Sequence, residues 1–130
     1  QWMGNIFLDA YNANPSSMRV SLDSFVTVMK NKGVSLDECY FVLGDMNELG
    51  DHAPKMHQEI AEHVKNLGIA NVTFIGRYRE FYLRGFENPT SHYLTKEEFF
   101  PEWKEIRKKY KFVFVKASRS LQLETLMNIL

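Results

Sequence analysis

Residues 5–17 read NIFLDAYNANPSS, and they encode both a strand and the start of a helix. The short run 5–8 ends at Asp9, which is typical of a buried strand followed by a turn. Asn14 offers a helix-capping side chain, and Pro15 suits the first helical position because no backbone donor is needed there. Apolar residues at helical spacing follow, and Gly33 is a natural stop. This stretch therefore predicts a strand, a polar loop and a helix.

The same alternation continues along the chain. Further strands are predicted at residues 40–43, 71–75, 91–94 and 112–115. Further helices are predicted to begin near Pro54, Glu80 and Thr95, and a closing helix carries Leu123, Leu126, Met127 and Leu130. Short, continuously apolar strands between amphipathic helices are typical of a parallel sheet covered on both faces. We predict an α/β fold, a three-layer α/β/α sandwich with a mostly parallel, Rossmann-like sheet, forming a single domain over residues 1–130.

The composition narrows the class of protein. Of 130 residues, 45% are hydrophobic and 25% charged, which excludes a disordered or collagen-like chain. Sixteen basic residues balance sixteen acidic ones, so we predict neither nucleic acid nor an anionic membrane as a partner. The single cysteine, Cys39, favours a reducing, cytoplasmic location, and no apolar run predicts membrane insertion. The opening residues QWMG lack an initiator methionine and a signal peptide, which indicates a piece of a longer protein.

Polar segments follow four of the predicted strands, at residues 9–17, 44–57, 76–79 and 116–120. In an open parallel sheet, ligands bind beyond the carboxyl ends of the strands. We therefore expect the binding site on this rim.

The first segment offers Asp9, Asn12 and Asn14 as binding residues, because carboxylates and amides bind ribose hydroxyls and the polar atoms of peptides. For Asn14, a helix cap alone would also explain the position. We expect Asp9→Ala to reduce activity with little loss of stability.

The second segment carries Asp45, Glu48 and His57. Such a cluster could hold a divalent metal, but its spacing is not that of a metal cage, and no metal site is predicted. His57 is either a ligand contact or an ordinary helix histidine. In the last segment, Lys116, Ser118 and Arg119 beside a helix start predict an anion site; a helix cap with two solvated cations is the alternative.

Several common motifs are absent. The chain has no Gly-x-Gly-x-x-Gly dinucleotide motif and no Gly-x-x-x-x-Gly-Lys-Ser/Thr phosphate loop. No Ser/His/Asp or Cys/His arrangement suggests a nucleophile. We predict no catalytic residue in this chain.

Three motifs together resemble a family. Residues 9–17, DAYNANPSS, resemble the Asp-x-Tyr-Asn-Ala-Asn-Pro-x-Ser segment of the Mur ligases that add D-alanyl-D-alanine to UDP-N-acetylmuramoyl-tripeptide. Residues 42–50, VLGDMNELG, with His57 after them, are similar to their second motif. Lys116 to Arg119, followed by Glu124, are similar to their Lys-Gly-Ser-Arg…Glu motif. Ala117 departs from the family's usual glycine.

The resemblance implies that this chain is the C-terminal domain of a three-domain ligase, inactive alone. The absent N-terminal domain would hold the UDP-sugar, and the absent central domain ATP with most of the Mg²⁺. By analogy, Asp9 would contact the ATP ribose, with Asn12 and Asn14 near the nucleotide or the dipeptide. Substrate contacts are implied for a set of residues in the other two motifs: Lys116, Ser118, Arg119, Asp45 and His57. This fragment would bind neither ATP nor Mg²⁺ tightly by itself.

Two other functions stay open. One is a stand-alone α/β module that binds a nucleotide or small peptide without chemistry. The other is a magnesium-dependent phosphohydrolase or receiver-like domain with Asp9, Asp45 and Glu48 as an acidic cluster.

Overall fold

The computed structural model describes residues 1–129, which form one sheet with helices on both faces. The strands are β1 (Trp2–Met3), β2 (Ile6–Asp9), β3 (Cys39–Gly44), β4 (Val72–Ile75), β5 (Ser91–Tyr93) and β6 (Phe112–Lys116). The α-helices are α1 (Pro15–Asn31), α2 (Ala53–Asn66), α3 (Arg79–Gly85) and α4 (Lys96–Lys109). Four 3₁₀ segments span Leu36–Glu38, Gly50–His52, Arg119–Leu121 and Leu123–Asn128. No helix in this part of the chain is long and apolar enough to cross a membrane.

The six strands lie in the order β1-β2-β6-β3-β4-β5. All neighbouring pairs are parallel except β1 and β2, which are antiparallel. The last strand, β6, therefore lies between β2 and β3 and pairs with both. Because the carboxyl ends of parallel strands share one edge, the loops after β2, β3 and β6 meet there.

Two apolar clusters cover the two faces of the sheet. Helices α1, α2 and α3 pack on one face, where Phe41, Phe74 and Phe114 point. Helix α4 and the C-terminal 3₁₀ segment pack on the other, around Val113 and Val115. Alternate residues of a strand face opposite sides, and both sides are buried here. The predicted three-layer α/β/α fold with a mostly parallel sheet is confirmed.

The local signals at the helix starts are also confirmed. Asn14 caps α1, its side chain accepting from the backbone N–H of Ser17 at 2.9 Å, with Pro15 as the first helical residue. Thr95 and Glu98 form the predicted capping box of α4. The antiparallel strand β1 was not predicted; it is two residues long and held partly by the Trp2 ring, which stacks on Phe25 at 5.8 Å.

The prediction of a closing α-helix is wrong. Gln122 adopts a left-handed backbone conformation (φ 51°), and the residues on either side of it form short 3₁₀ segments. Leu123 and Leu126 are buried as predicted, and their spacing of three residues suits a 3₁₀ helix. Leu130, which the sequence placed on the same helix, lies outside the described residues.

A close approach of β3 to the turn after β6 depends on Gly44. A Cβ atom placed on Gly44 would lie 2.5 Å from the Cβ of Ala117 and 2.5 Å from Cδ1 of Leu121. Ala117 is fully buried, so the methyl group that replaces the family's usual glycine fills the space beside Gly44.

We predict that Gly44→Ala destabilises the fold by about 1–3 kcal/mol, because this well-packed edge has no room for another methyl group. Chemical denaturation of the variant measures the loss. The double variant Gly44→Ala with Ala117→Gly should recover part of it, since one of the two clashing groups is then removed. Strictly additive losses would contradict the close approach.

Candidate functional site

A cleft of about 530 Å³ opens at the carboxyl ends of β2, β3 and β6. Three loops, each from one of these strands, supply its lining: Tyr11, Asn12, Ala13 and Asn14; Asn47, Glu48 and Leu49; and Ser118, Arg119 and Ser120. The volume is that of a small-molecule site. Amides, hydroxyls and one charge of each sign dominate the lining, so the cleft suits a polar ligand.

A buried ion pair joins the end of β6 to the end of β2. The Lys116 ammonium donates to the Asp9 carboxylate at 2.5 Å and to the backbone carbonyl of Asn12 at 2.7 Å. Its side chain is 1% exposed, whereas that of Asp9 is 32% exposed. Partial burial by itself would raise the pKa of Asp9, but the bond and charge of Lys116, with the N–H groups of Tyr11 and Asn12, hold this pKa below its ordinary value.

This geometry changes the interpretation of the third motif. Lys116 was predicted to contact a substrate anion, yet its ammonium is enclosed and already bonded to Asp9 and Asn12. The segment that follows is a 3₁₀ turn, Arg119–Leu121, so no α-helix N-terminus supports an anion there. Of the two cations in this motif, Arg119 is the one that lines the cleft.

Ser118 ties the three loops together. Its hydroxyl accepts from the backbone N–H of Asn47 at 2.8 Å and donates to the carbonyl of Ala13 at 3.4 Å. Its own backbone N–H donates to the carbonyl of Asp45 at 2.8 Å. Ser118 therefore lines the cleft as predicted, but its hydroxyl is already hydrogen-bonded to the loops after β2 and β3.

Asp45 is buried and binds backbone rather than facing the cleft. Its carboxylate accepts from the N–H groups of Tyr78 at 2.9 Å and Arg77 at 3.1 Å, at the turn after β4. A Cβ atom on Gly76 would come within 2.4 Å of this carboxylate, so the turn needs glycine, whose φ is 125°. Burial raises the pKa of Asp45, and these two N–H groups oppose the rise.

His57 is fully buried, and the structure does not bring it to the cleft surface. Its Nε2 accepts a hydrogen bond from the backbone N–H of Met46 at 3.0 Å, so the ring proton is on Nδ1. Nδ1 donates to the backbone carbonyl of Ala53 at 2.7 Å. The ring packs against those of Tyr78 and Tyr82. His57 therefore holds the loop after β3 in place, and a direct substrate contact does not fit this burial.

The first loop presents its side chains more openly. The backbone of Asn12 is bonded to Asp9 and Lys116, while the residue itself is exposed and lines the cleft. Asn14 also lines the cleft, although its side-chain oxygen caps α1. The structure thus brings Asn12, Asn14, Ser118 and Arg119 to one cleft, whereas Asp9 is not among the lining residues and is bonded to Lys116 and to the Asn12 backbone.

Four polar cleft residues, namely Tyr11, Asn47, Glu48 and Ser120, were not predicted to contact a substrate, and Glu48 was considered only as part of a metal-binding acidic cluster. The Arg119 guanidinium lies 5.7 Å from the centre of the Tyr11 ring. The Asn47 amide donates to the Ser120 hydroxyl at 2.6 Å. All four lie inside the polar segments 9–17, 44–57 and 116–120, so their position next to Asn12 and Arg119 was an available signal.

Asp9, Asp45 and Glu48 do not form one acidic cluster, because each has different surroundings. Asp9 binds Lys116, Asp45 binds the turn after β4, and Glu48 alone lines the cleft. Over residues 1–129, no group of three His, Cys, Asp or Glu side chains is placed to hold a metal ion. The three carboxylates therefore do not form the shared acidic cluster that the phosphohydrolase hypothesis requires.

Comparisons with known proteins identify the family to which the chain is similar. A family described as "Mur ligase, glutamate ligase domain" matches residues 1–119. The UDP-N-acetylmuramoyl-tripeptide–D-alanyl-D-alanine ligase of Bacillus subtilis (strain 168) is 32% identical over 128 residues, 95% of this chain and 27% of that protein. The ligase of the same name from Rickettsia prowazekii (strain Madrid E) is 25% identical over 125 residues, 95% of this chain and 26% of the relative. The chain spans about a quarter of the length of these curated relatives.

Solved structures are similar over nearly the whole chain. A crystal structure of MurF from Acinetobacter baumannii matches with a TM-score of 0.73 and 26% identity, covering 95% of this chain and 27% of that one. The MurF ligase from Thermotoga maritima, solved in complex with ADP, matches with a TM-score of 0.73 over 99% of this chain and 29% of that one. At 20% identity, the latter likeness concerns the fold.

The ion pair leads to a prediction that reverses the expectation drawn from the sequence for Asp9. We predict that Asp9→Ala lowers the free energy of unfolding by about 2 kcal/mol or more, because it leaves the buried Lys116 ammonium without its counter-charge. Lys116→Met should cost less, since the partly exposed Asp9 carboxylate can be hydrated. Urea denaturation of both variants measures the asymmetry, and an Asp9→Ala variant as stable as the wild type would contradict it.

A second prediction concerns pH. Burial lowers the pKa of His57 below its ordinary 6.5, and the bond to Ala53 offsets this only partly. The unfolded chain therefore takes up a proton at His57 at higher pH than the folded chain does. The free energy of unfolding should fall as the pH drops below about 6.5, until the lower folded-state pKa is passed.

His57→Gln keeps a neutral acceptor and should remove this part of the pH dependence. The melting temperature measured from about pH 8 to pH 5 tests it. The exposed His52→Gln serves as the matched control and should follow the wild-type slope. Parallel slopes for His57→Gln and the wild type would exclude the proposed role of the buried ring.

Proposed function

The chain belongs to the Mur ligase family as its glutamate ligase domain, and from that premise we propose that it is the C-terminal domain of an ATP-dependent ligase. The proposed reaction joins D-alanyl-D-alanine to UDP-N-acetylmuramoyl-tripeptide in peptidoglycan precursor synthesis. The names of the relatives from Bacillus subtilis and Rickettsia prowazekii support this choice among the Mur ligases. Residues 1–130 would form one domain, working in the cytoplasm beside a central ATP-binding domain and an N-terminal UDP-sugar domain.

The observation that carries the proposal is the convergence of three motif loops on one cleft. Residues 9–17, 44–50 and 116–120 are far apart in the sequence, yet each contributes to the lining. These are the same segments whose composition resembles the Mur ligase motifs. A cleft lined by amides, hydroxyls and an arginine offers the donors and acceptors that a ribose or a dipeptide requires.

The roles of the residues follow from their exposure. We propose that Asn12 meets the nucleotide in the cleft with Asn14 beside it, that the partly exposed Asp9 contacts the ribose next to the cleft, and that Arg119 binds the dipeptide carboxylate. A planar guanidinium suits a carboxylate because it can donate two parallel hydrogen bonds. Lys116, Ser118, Asp45 and His57, first considered as substrate contacts, would act by holding the cleft walls.

The chemistry places few demands on this domain. In the proposed reaction, the tripeptide carboxylate is activated as an acyl phosphate, and the amine of the dipeptide displaces the phosphate to form the amide. This chain would contribute position and exclusion of water when the domains close, neither of which needs an acid or a base. ATP would be bound jointly with the central domain, and that domain would hold most of the Mg²⁺, as the resemblance to the family implies.

We predict that the full-length ligase releases phosphate from ATP only when both UDP-N-acetylmuramoyl-tripeptide and D-alanyl-D-alanine are present. The 130-residue chain alone should show no turnover. Asn12→Ala in the full-length protein should raise KM for ATP or the dipeptide about tenfold, as expected for the loss of a hydrogen bond of about 1.4 kcal/mol. Its melting temperature should be unchanged, because the backbone of Asn12, which makes the internal bonds, is retained.

The matched control is Asn66→Ala, an exposed asparagine at the end of α2, distant in sequence from the motifs. It should leave both KM values unchanged. A folded full-length protein that releases no phosphate would exclude the ligase and favour a binding module. Screening nucleotides and dipeptides against the chain would then identify its ligand.

A further inference from the structure

The cleft carries one negative and one positive side chain on different loops. Glu48 comes from the loop after β3, and Arg119 from the turn after β6. Both residues are exposed, and neither takes part in the ion pairs formed among residues 1–129. Arg119 instead faces the Tyr11 ring. Two opposite charges that the protein does not neutralise internally are thus available to a ligand in the same cleft.

The backbone of Glu48 is held in an unfavourable conformation. Its φ is 63°, in the left-handed region that residues with a Cβ atom seldom adopt. The neighbouring residues fix this geometry, because Met46 is bonded to buried His57 and Asn47 to Ser118. Strained backbone conformations persist only where the surrounding structure imposes them, and they are common at ligand-binding sites. The direction of the Glu48 side chain is therefore set by the same bonds that build the cleft wall.

We propose that Glu48 binds the ammonium group of the incoming dipeptide while Arg119 binds its carboxylate. This inference rests on the proposed ligase function and adds the subsite for the amine. A dipeptide is a zwitterion with its charges at opposite ends, which matches a cleft with one charge of each sign on different loops. A carboxylate at the ammonium end selects ligands with an amino group and orients the nitrogen that forms the amide. The ammonium loses one proton to solvent before its nitrogen attacks, and the second proton leaves with the displaced phosphate.

The test pairs a protein charge with a ligand charge in the full-length ligase. Glu48→Gln removes the negative charge and keeps the size of the side chain. D-Lactoyl-D-alanine has a hydroxyl group in place of the ammonium of D-alanyl-D-alanine and is otherwise of the same size. KM for the dipeptide and Ki for the hydroxyl analogue are measured in the wild type, in Glu48→Gln and in the control Glu87→Gln, an exposed glutamate in the segment between α3 and β5.

We expect Glu48→Gln to raise KM for the dipeptide about tenfold, as for the loss of a charge-assisted bond, while Ki for the analogue changes less than about twofold. Glu87→Gln should change neither constant. Glu48→Gly should raise KM in the same way while raising the melting temperature by about 3 °C, since glycine relieves the left-handed strain. If Glu48 had only a structural role, a variant that is more stable would not bind the dipeptide more weakly.

Three outcomes would overturn the inference. KM for the dipeptide could stay unchanged in Glu48→Gln, or both ligands could weaken equally, which would assign Glu48 to the shape of the loop. In either case the wild-type ligase still turns over, and the proposed function stands. If the wild-type protein showed no turnover, the proposed function would be wrong, and so would the amine subsite that depends on it.

Discussion

The Lys116 ammonium is the group on which the cleft depends. It ends the strand that is inserted between β2 and β3, and it is almost completely removed from solvent. A buried cation without a partner is costly, so the loop that carries Asp9 and the Asn12 carbonyl must stay close to it. One ion pair thus fixes the relative positions of two loops that are more than 100 residues apart in the sequence.

The loop after β3 is held from its other sides by hydrogen bonds to backbone N–H groups. Asp45 accepts from the turn after β4, His57 accepts from Met46, and Ser118 accepts from Asn47. Each bond satisfies a buried polar group, because an unpaired one would be costly. The result is a preformed cleft wall, which favours binding because the loop loses little conformational entropy when a ligand binds.

These bonds divide the motif residues into two groups. The side chains of Asp45, His57, Lys116 and Ser118 are hydrogen-bonded to backbone groups, and that of Lys116 also to Asp9. A second group faces the open cleft, namely Tyr11, Asn12, Asn47, Glu48, Arg119 and Ser120. Several polar residues of the motifs therefore support the cleft instead of facing it, and the geometry of the residues that do face it depends on them.

The sequence by itself determined what depends on neighbouring residues. The starts of two helices were predictable because capping hydrogen bonds span only three residues: Asn14 with Pro15 begins α1, and Thr95 with Glu98 begins α4. Apolar runs between helices indicated the parallel sheet, and the polar segments after them indicated its functional edge. The motif segments were sufficient to identify the family.

Only the tertiary structure decided what depends on distant contacts. The position of β6 between β2 and β3 follows from pairing across the whole chain, which no local pattern encodes. The same holds for the burial of His57 and Lys116, whose partners are brought to them by the fold. The closing segment became 3₁₀ because Gln122 turns left-handed and the Trp103 indole binds the Leu126 carbonyl, so packing against α4 outweighed a helical pattern.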